Sequence, residues 1–377
     1  MTTQYIDGHV ATGFGRIAEA FRQNFEERGD TGAACAVYQH GEKVVDLWGG
    51  RTQQGSWSPN TRSVLFSVSK GITAICLLMA SEEGHLDLDA PVAHYWPEFS
   101  SQGKDRITVR ETLAHRAGLI APAETLTAQD LRDWTPVTEV LARQTPLWEP
   151  GTAFAYHALT VGWLAGEVLR RVTGLRPSQW LQEKISRPLG LNVSFGTTPD
   201  QPDLAYLGKQ LPSTEPAPAN DVDADLAARV MGMNGAFDGL DLFTTANSTD
   251  FLTCEIPAGN LIGNARELAR LYAATVGEVD GVRLLKPDTV REARLPLSIG
   301  KPWVGPEEGH RWATGFMLDS RVRGMAGPGS FGHDGAGGQL AFAHLEHGLS
   351  FAYQTIRPGG IPDGRAEQLC EALRSCL

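Results

Sequence analysis

Residues 66–74 read FSVSKGITA, where an apolar run, ITAICLLMA, begins. Ser67 and Lys70 form a Ser-x-x-Lys spacing. The same spacing recurs at Ser101–Lys104 and Ser298–Lys301, so spacing alone decides nothing. Context separates the three. Ser101–Lys104 lies in polar SSQGKDR, and Ser298–Lys301 lies in SIGKPW, with a glycine inside and a proline after it. Neither segment holds a helical turn well. Ser67–Lys70 has no breaker inside it and leads into a predicted helix over 67–83. On a helix, positions i and i+3 share a face, so Ser67 and Lys70 can meet there while Ser69 points elsewhere. Two readings of this stretch stay open. One is a serine N-cap followed by a surface lysine. The other is a serine nucleophile whose proton is taken by an amine with a pKa depressed by burial. In the second, the helix start adds free backbone N–H groups and partial positive charge, and the Ser67 N–H can help bind an oxyanion.

Working outward, Phe14, Ile17, Phe21 and Phe25 recur at helical spacing and predict a helix over 12–28. Residues 33–50, AACAVYQHGEKVVDLWGG, read as two strands around a His40-Gly41 turn. Helical patterns follow at 108–115, 127–144, 158–173, 177–187, 222–232 and 263–276, separated by Pro- and Gly-rich joints. Residues 197–221, rich in Pro and Asp, read as a loop. Strand patterns return at 311–320 and at 339–356, the latter with a turn at His347-Gly348, and the chain ends on a helical RAEQLCEALRSCL. The order is helix, strands, many helices, strands, helix. It predicts an α/β (α+β) fold: an antiparallel sheet flanked by the terminal helices, built from 1–66 and 255–377. Residues 67–254 form a mostly helical insertion, and the active site lies between the two parts.

A serine–lysine enzyme needs a proton shuttle and a second oxyanion donor. LWEPGTAFAYHALTVGWLAGEVL (147–169) holds Tyr156 just ahead of a helix. A tyrosine hydroxyl can carry a proton between the serine and a leaving group; a core aromatic is the plain alternative. GSFGHDGAGGQLAFA (329–343) places His333-Asp334-Gly335-Ala336 before an apolar strand. Its glycines let backbone approach a substrate closely, and the Ala336 N–H is available as a donor; a glycine-rich turn is the plain alternative.

These parts, in this order, resemble the serine β-lactamase and penicillin-binding-protein superfamily, with its Ser-x-x-Lys helix start, Tyr-x-Asn or Ser-x-Asn loop and Lys-Thr-Gly strand. The likeness is closer to its esterase branch, the family VIII carboxylesterases related to class C β-lactamases. It is carried by LFSVSKGITA, LDLDAPVAHYWPEF, ITVRETLAHRAGL, WEPGTAFAYHALTVGWLAGEVL and FGHDGAGG, which span residues 65–338. The resemblance implies a β-lactamase/transpeptidase-like fold. It also implies Ser67 as acylated nucleophile, Lys70 as its activator and Tyr156 as general acid and base. Ser67 and Ala336 would supply the oxyanion hole, with His333, Asp334 and Gly335 as the substrate-binding third motif. Two departures stand out. Ala158 replaces the Asn of Tyr-x-Asn, and His333 replaces the Lys of Lys-Thr-Gly. In members that cleave β-lactams and peptides, these groups help bind the amide side chain and carboxylate. The expected activity is therefore a serine carboxylesterase acting on small or short-chain esters. A β-lactamase or D-amino-acid peptidase, an acyltransferase on the same acyl-enzyme, and a non-catalytic scaffold are the alternatives.

Other features exclude other functions. GPGSFG (327–332) fits Gly-x-Gly-x-x-Gly but precedes a strand, whereas a dinucleotide site needs a helix there. No Gly-x-Ser-x-Gly elbow exists. His344-Leu345-Glu346-His347 lacks helical metal-ligand spacing, and His115 reads as a loop brace. No metal or cofactor is expected. The net charge is −11, and the densest basic stretch is Arg321-Val322-Arg323, which argues against nucleic acid and acidic membranes as partners. No apolar stretch approaches the roughly 20 residues of a membrane span. The opening MTTQYIDGHV lacks a signal-peptide layout, and the five scattered cysteines suit a reducing compartment. A cytoplasmic protein with a small-molecule ester substrate is the expectation.

Overall fold

Every pairing in the main sheet is antiparallel. The computed structural model describes residues 5–215, 223–237, 241–305 and 309–377. Seven strands form the path of that sheet: β1 (Ile6–Val10), β2 (Gly32–Gln39), β3 (Glu42–Thr52), β4 (Met317–Leu318), β5 (Ser330–Gly335), β6 (Gln339–His344) and β7 (Leu349–Thr355). Their order is β1-β3-β2-β7-β6-β5-β4, and a short Gly55–Ser56 strand pairs antiparallel with the end of β3. The two expected hairpins are present, β2–β3 through His40-Gly41 and β6–β7 through residues 345–348. Strands β2 and β7 join the two ends of the chain at the sheet centre, with Ala36 opposite Ala352.

Alternation along these strands serves two different faces. Cys35, Val37, Leu340, Phe342, Phe351 and Tyr353 pack on the terminal helices α1 (Gly15–Glu26) and α5 (Arg365–Arg374), against Phe21, Phe25 and Leu369. The opposite face carries Ala34, Ala36, Ala341, Ala343 and Ala352, which join the larger core. These small side chains admit helix α4 (Ala265–Val276) close to the sheet. Both faces are covered, which is why β2 and β7 are buried along almost their whole length.

Between the two halves of the sheet the chain is mostly helical. Helix α2 (Val68–Glu82) is buried at every position from Val68 to Ala80, as its apolar sequence requires. Helix α3 (Thr160–Thr173) packs beside it and ends on Gly174 in the left-handed region. A second sheet escaped the sequence reading: Ser63–Val64 and Ser194–Phe195 both pair with Leu261–Gly263. Its strands are too short to show a period.

Two expectations need correction, and one more strand was not foreseen. The helix predicted over 127–144 is two, Ala128–Asp133 and Thr135–Arg143, broken at Trp134 with φ 72°. Pro136 lacks an N–H, and its ring would meet the carbonyl four residues back in a continuous helix. The Trp134 ring is fixed in the break, its Nε1 donating to Glu167 at 2.8 Å. The strand predicted over 311–320 shrinks to Met317–Leu318, with Trp312 held by isolated bridges to Ser298 and Met317. Strand β1 was not foreseen because IDGHV is a solvent-facing edge with no apolar alternation. The remaining helical predictions hold, the segment over 177–187 including a π turn at Leu181–Ser186. The predicted loop contains no helix or strand over 197–215, and residues 216–222 lie outside the described residues.

One close contact sets the sheet against the start of α2. A Cβ on Gly335, at the end of β5, would stand 2.4 Å from the carbonyl oxygen of Leu65. Only glycine allows that approach. Gly335→Ala is therefore expected to cost about 1–3 kcal/mol of stability through overpacking. Denaturant unfolding of the two proteins checks this, and an unchanged midpoint would show that the strand shifts at no cost.

Candidate active site

The turn ahead of α2 is built to present Ser67. Phe66 is buried and takes φ 46°, a left-handed conformation uncommon for a bulky residue. Ser69 stabilises that turn: its hydroxyl donates to the Phe66 carbonyl and accepts from the Leu261 N–H at 2.9 Å. Ser69 thus ties the turn to the second sheet and faces away from Ser67. Ser67 itself stays partly exposed at the helix N-cap.

Lys70 lies one turn along, buried, with its amine among three oxygens. Nζ is 3.0 Å from Ser67 Oγ, 2.6 Å from the Ala158 carbonyl and 2.8 Å from the Ala258 carbonyl. A neutral amine has two hydrogens and one lone pair. With both hydrogens on the carbonyls, the lone pair is left for the Ser67 hydroxyl. Burial pushes the Lys70 pKa well below its ordinary value, and the charge of Asp334 opposes that shift.

Tyr156 completes the cluster. Its hydroxyl donates to Ser67 Oγ at 2.8 Å, and the Lys70 amine lies 4.7 Å from its ring centroid. Aromatic neighbours fix the ring. Trp312 stacks on it at 5.1 Å, and His115 and His333 lie at 5.0 and 6.0 Å. Neither Trp312 nor His157 was singled out in the sequence, and no local signal marks either. His115 was read as a loop brace, and it is one. With φ 64°, it accepts the His157 N–H on Nδ1 at 3.2 Å and the Ala155 N–H on its carbonyl at 3.2 Å. His157 accepts the Leu119 N–H on Nε2 at 3.1 Å and donates from Nδ1 to the Ala155 carbonyl at 2.7 Å. Burial pushes the His115 pKa well below its ordinary value and lowers that of His157 to about 4. The imidazoles beside Lys70 are therefore neutral near pH 7.

The third motif runs along the end of β5. His333 is buried against Tyr156 and Trp312, with Nδ1 2.7 Å from the Asp334 carbonyl oxygen and Nε2 without a hydrogen-bond partner among the described residues. Burial lowers its pKa despite the adjacent Asp334. Asp334 accepts from Arg323 Nε at 2.9 Å. Burial opposes its ionisation, but the Arg323 charge holds its carboxyl well below the usual range. Gly335 brings this strand end onto the Leu65 carbonyl, and partly exposed Ala336 follows. Among the described residues, no backbone hydrogen bond outside the regular elements uses the Ser67 or Ala336 N–H. The structure thus brings Ser67, Lys70 and Tyr156 into direct contact, and it lays His333 against Tyr156 and Gly335 against the loop before Ser67.

The other Ser-x-x-Lys pairs are structural. Ser101 Oγ donates to the Ala142 carbonyl at 2.8 Å, while Lys104 Nζ donates to Gln144 at 2.6 Å. Ser298 Oγ donates to the Ala114 carbonyl at 2.7 Å, and the Ser298 carbonyl receives the Trp312 N–H at 2.9 Å. His344 sits on β6 with Nε2 3.0 Å from the Pro328 carbonyl oxygen. Among the described residues, no group of three or more His, Cys, Asp or Glu could hold a metal ion, and no helix is long and apolar enough to cross a membrane. All five cysteines are free thiols.

The Beta-lactamase family profile matches residues 18–372. The esterase/beta-lactamase LipL of Mycobacterium tuberculosis is 33% identical over 352 residues, which cover 90% of this chain and 80% of LipL. A penicillin-binding-protein homologue from Caulobacter crescentus superposes with a TM-score of 0.87 at 34% identity, over 99% of this chain and 100% of that one. A family VIII carboxylesterase superposes with the same TM-score, 0.87, at 32% identity and the same coverage. The fold is that of the β-lactamases and transpeptidases, and the chain belongs to the Beta-lactamase family as a serine hydrolase.

Proposed function

We propose that this serine hydrolase is a carboxylesterase for small or short-chain esters, working through a Ser67 acyl-enzyme. The observation that carries the proposal is the hydrogen-bonded chain Lys70–Ser67–Tyr156, with the lysine amine desolvated. Lys70 takes the Ser67 proton while Ser67 Oγ attacks the ester carbonyl. The Ser67 and Ala336 N–H groups hold the oxyanion. Tyr156 protonates the departing alkoxide, and then helps deprotonate the water that attacks the acyl-enzyme. His333, Asp334 and Gly335 flank the substrate as the third motif. Each role falls to this chain's own side chains and backbone. The division into 1–66 with 255–377 and the inserted 67–254 places the site between two parts, and the protein is taken to act in the cytoplasm. The family VIII structure is named as a carboxylesterase, which supports the choice of ester over amide, while LipL is named as both esterase and beta-lactamase. So do the two departures. The Ala158 side chain is a methyl, without the two-way hydrogen bonding of an Asn amide. His333 is a buried, neutral group where the wider superfamily has a fixed cation.

Ser67→Ala is expected to lower ester turnover by roughly three or more orders of magnitude with the fold intact. Ser69→Ala, Ser101→Ala and Ser298→Ala should keep much of the activity. A fluorophosphonate adduct located by mass spectrometry belongs on Ser67; an adduct elsewhere ends the reading.

Lys70→Ala and Tyr156→Phe should each lose orders of magnitude in kcat, with the double variant little worse than the poorer single. Additive losses would assign them separate roles.

The pH profile should carry an acid limb. Activity needs the neutral Lys70 amine, so kcat/KM falls as pH drops through its depressed pKa. Asp334 favours the charged form, so Asp334→Asn should move that limb to lower pH. A limb that stays in place or moves up would remove Lys70 as the titrating base.

β-Lactams should acylate poorly. Two lost polar contacts at about 1–3 kcal/mol each amount to roughly two to four orders of magnitude in kcat/KM. A chromogenic cephalosporin should trail p-nitrophenyl acetate or butyrate by at least ~100-fold, the lower end of that range. Equal rates would favour a β-lactamase.

A further inference from the structure

Arg365, in the first turn of α5, is fully buried, and each of its five N–H groups has an acceptor. Nε and Nη2 grip Asp363 at 2.8 and 2.7 Å. Nη1 donates to Asp30 at 2.6 Å and to the Arg357 carbonyl at 2.9 Å. Asp30 is itself buried and accepts from Tyr353 and Thr355. The last donor, on Nη2, reaches the carbonyl of Gly337 at 3.1 Å. That carbonyl also accepts the Gly359 N–H at 3.0 Å.

Gly337 belongs to the turn that displays the Ala336 N–H. The peptide joining Gly335 to Ala336 is planar, so the direction of the Ala336 N–H is set by the opposed Gly335 carbonyl. The Gly338 N–H donates to that Gly335 carbonyl at 3.2 Å. Gly337, at φ 88°, is the hinge between the two ends of this bond. Anchoring its carbonyl therefore anchors the turn. The other side of the turn leads to the same helix. Asp334 is held by Arg323, and Arg323 pairs with Glu367, two residues along from Arg365.

A buried ion pair adds little net stability over an apolar replacement, so stability alone does not account for a charge placed here. We propose that Arg365 is a positioning residue of the active site, holding the Gly335–Gly338 turn so that the Ala336 N–H points at the developing oxyanion. The inference rests on the assignment of that N–H as an oxyanion donor.

The test compares an aryl acetate with its O-aryl thionoacetate. Sulfur is a weak hydrogen-bond acceptor, so the rate ratio of ester to thionoester reports how well the donors meet the oxyanion. Arg365→Lys keeps the charge and loses the fork. It should lower kcat by roughly 10- to 100-fold with KM little changed, and shrink the ester-to-thionoester ratio by a similar factor. Asp363→Asn weakens the grip on Arg365 without touching the turn carbonyl. It should move both quantities the same way by a smaller factor, and it carries the test if Arg365→Lys does not fold. A folded variant that keeps the wild-type kcat and ratio overturns the proposal. A wild-type ratio near one would instead show that no oxyanion hole is in use, and would overturn the donor assignment on which the proposal stands.

Discussion

The burial of one amine governs the site. Lys70 reaches its place from a helix that is itself interior, and it meets two backbone carbonyls and the Ser67 hydroxyl there. A charged ammonium in that setting would be costly, so desolvation favours the neutral form, and the neutral form is the one with a lone pair to offer. The neighbouring imidazoles contribute by being uncharged. His115 and His157 each have a ring nitrogen committed as an acceptor from a backbone N–H, which fixes their tautomers and fills space beside Lys70 without adding positive charge. Asp334 acts in the opposite sense, and Arg323 bounds its influence by pairing with it.

Around that amine the protein uses rigid backbone. The Ser67 turn is held in a left-handed conformation at Phe66 and tied by Ser69 to Leu261. The β5 end is brought against Leu65 by a glycine that has no Cβ to collide. The ring of Tyr156 is stacked on Trp312, whose backbone is bridged to Ser298. Ser67 and Lys70 share one helix start, while Tyr156 and the β5 end come from distant parts of the chain. Under the proposed mechanism, groups from these segments must hold their relative places to within a fraction of an ångström for the chemistry to profit.

Much of the fold was legible because it rests on period and punctuation. Phe14, Ile17, Phe21 and Phe25 mark a helix face, His40-Gly41 marks a hairpin, and the alternating apolar positions of 339–356 mark two core strands. Where packing overrode pattern, the reading failed. Pro136 split one helix at Trp134, whose place is set by Glu167 on another helix. Residues 311–316 have strand-like composition, but their backbone pairs only at isolated bridges.

The site divides along the same line. The sequence by itself determined which Ser-x-x-Lys could be a helical pair, because breakers and apolar runs are local properties, and it picked out Tyr156 and the glycine-rich turn by their order along the chain. Tertiary structure alone decided that burial disfavours the Lys70 charge, that the carbonyls of Ala158 and Ala258 hold its amine beside Ser67, that Trp312 holds the tyrosine, and that Arg365 reaches the Gly337 carbonyl. Backbone carbonyls carry no side-chain signature, and desolvation is a property of everything packed around a group. Neither is written in any one stretch of residues.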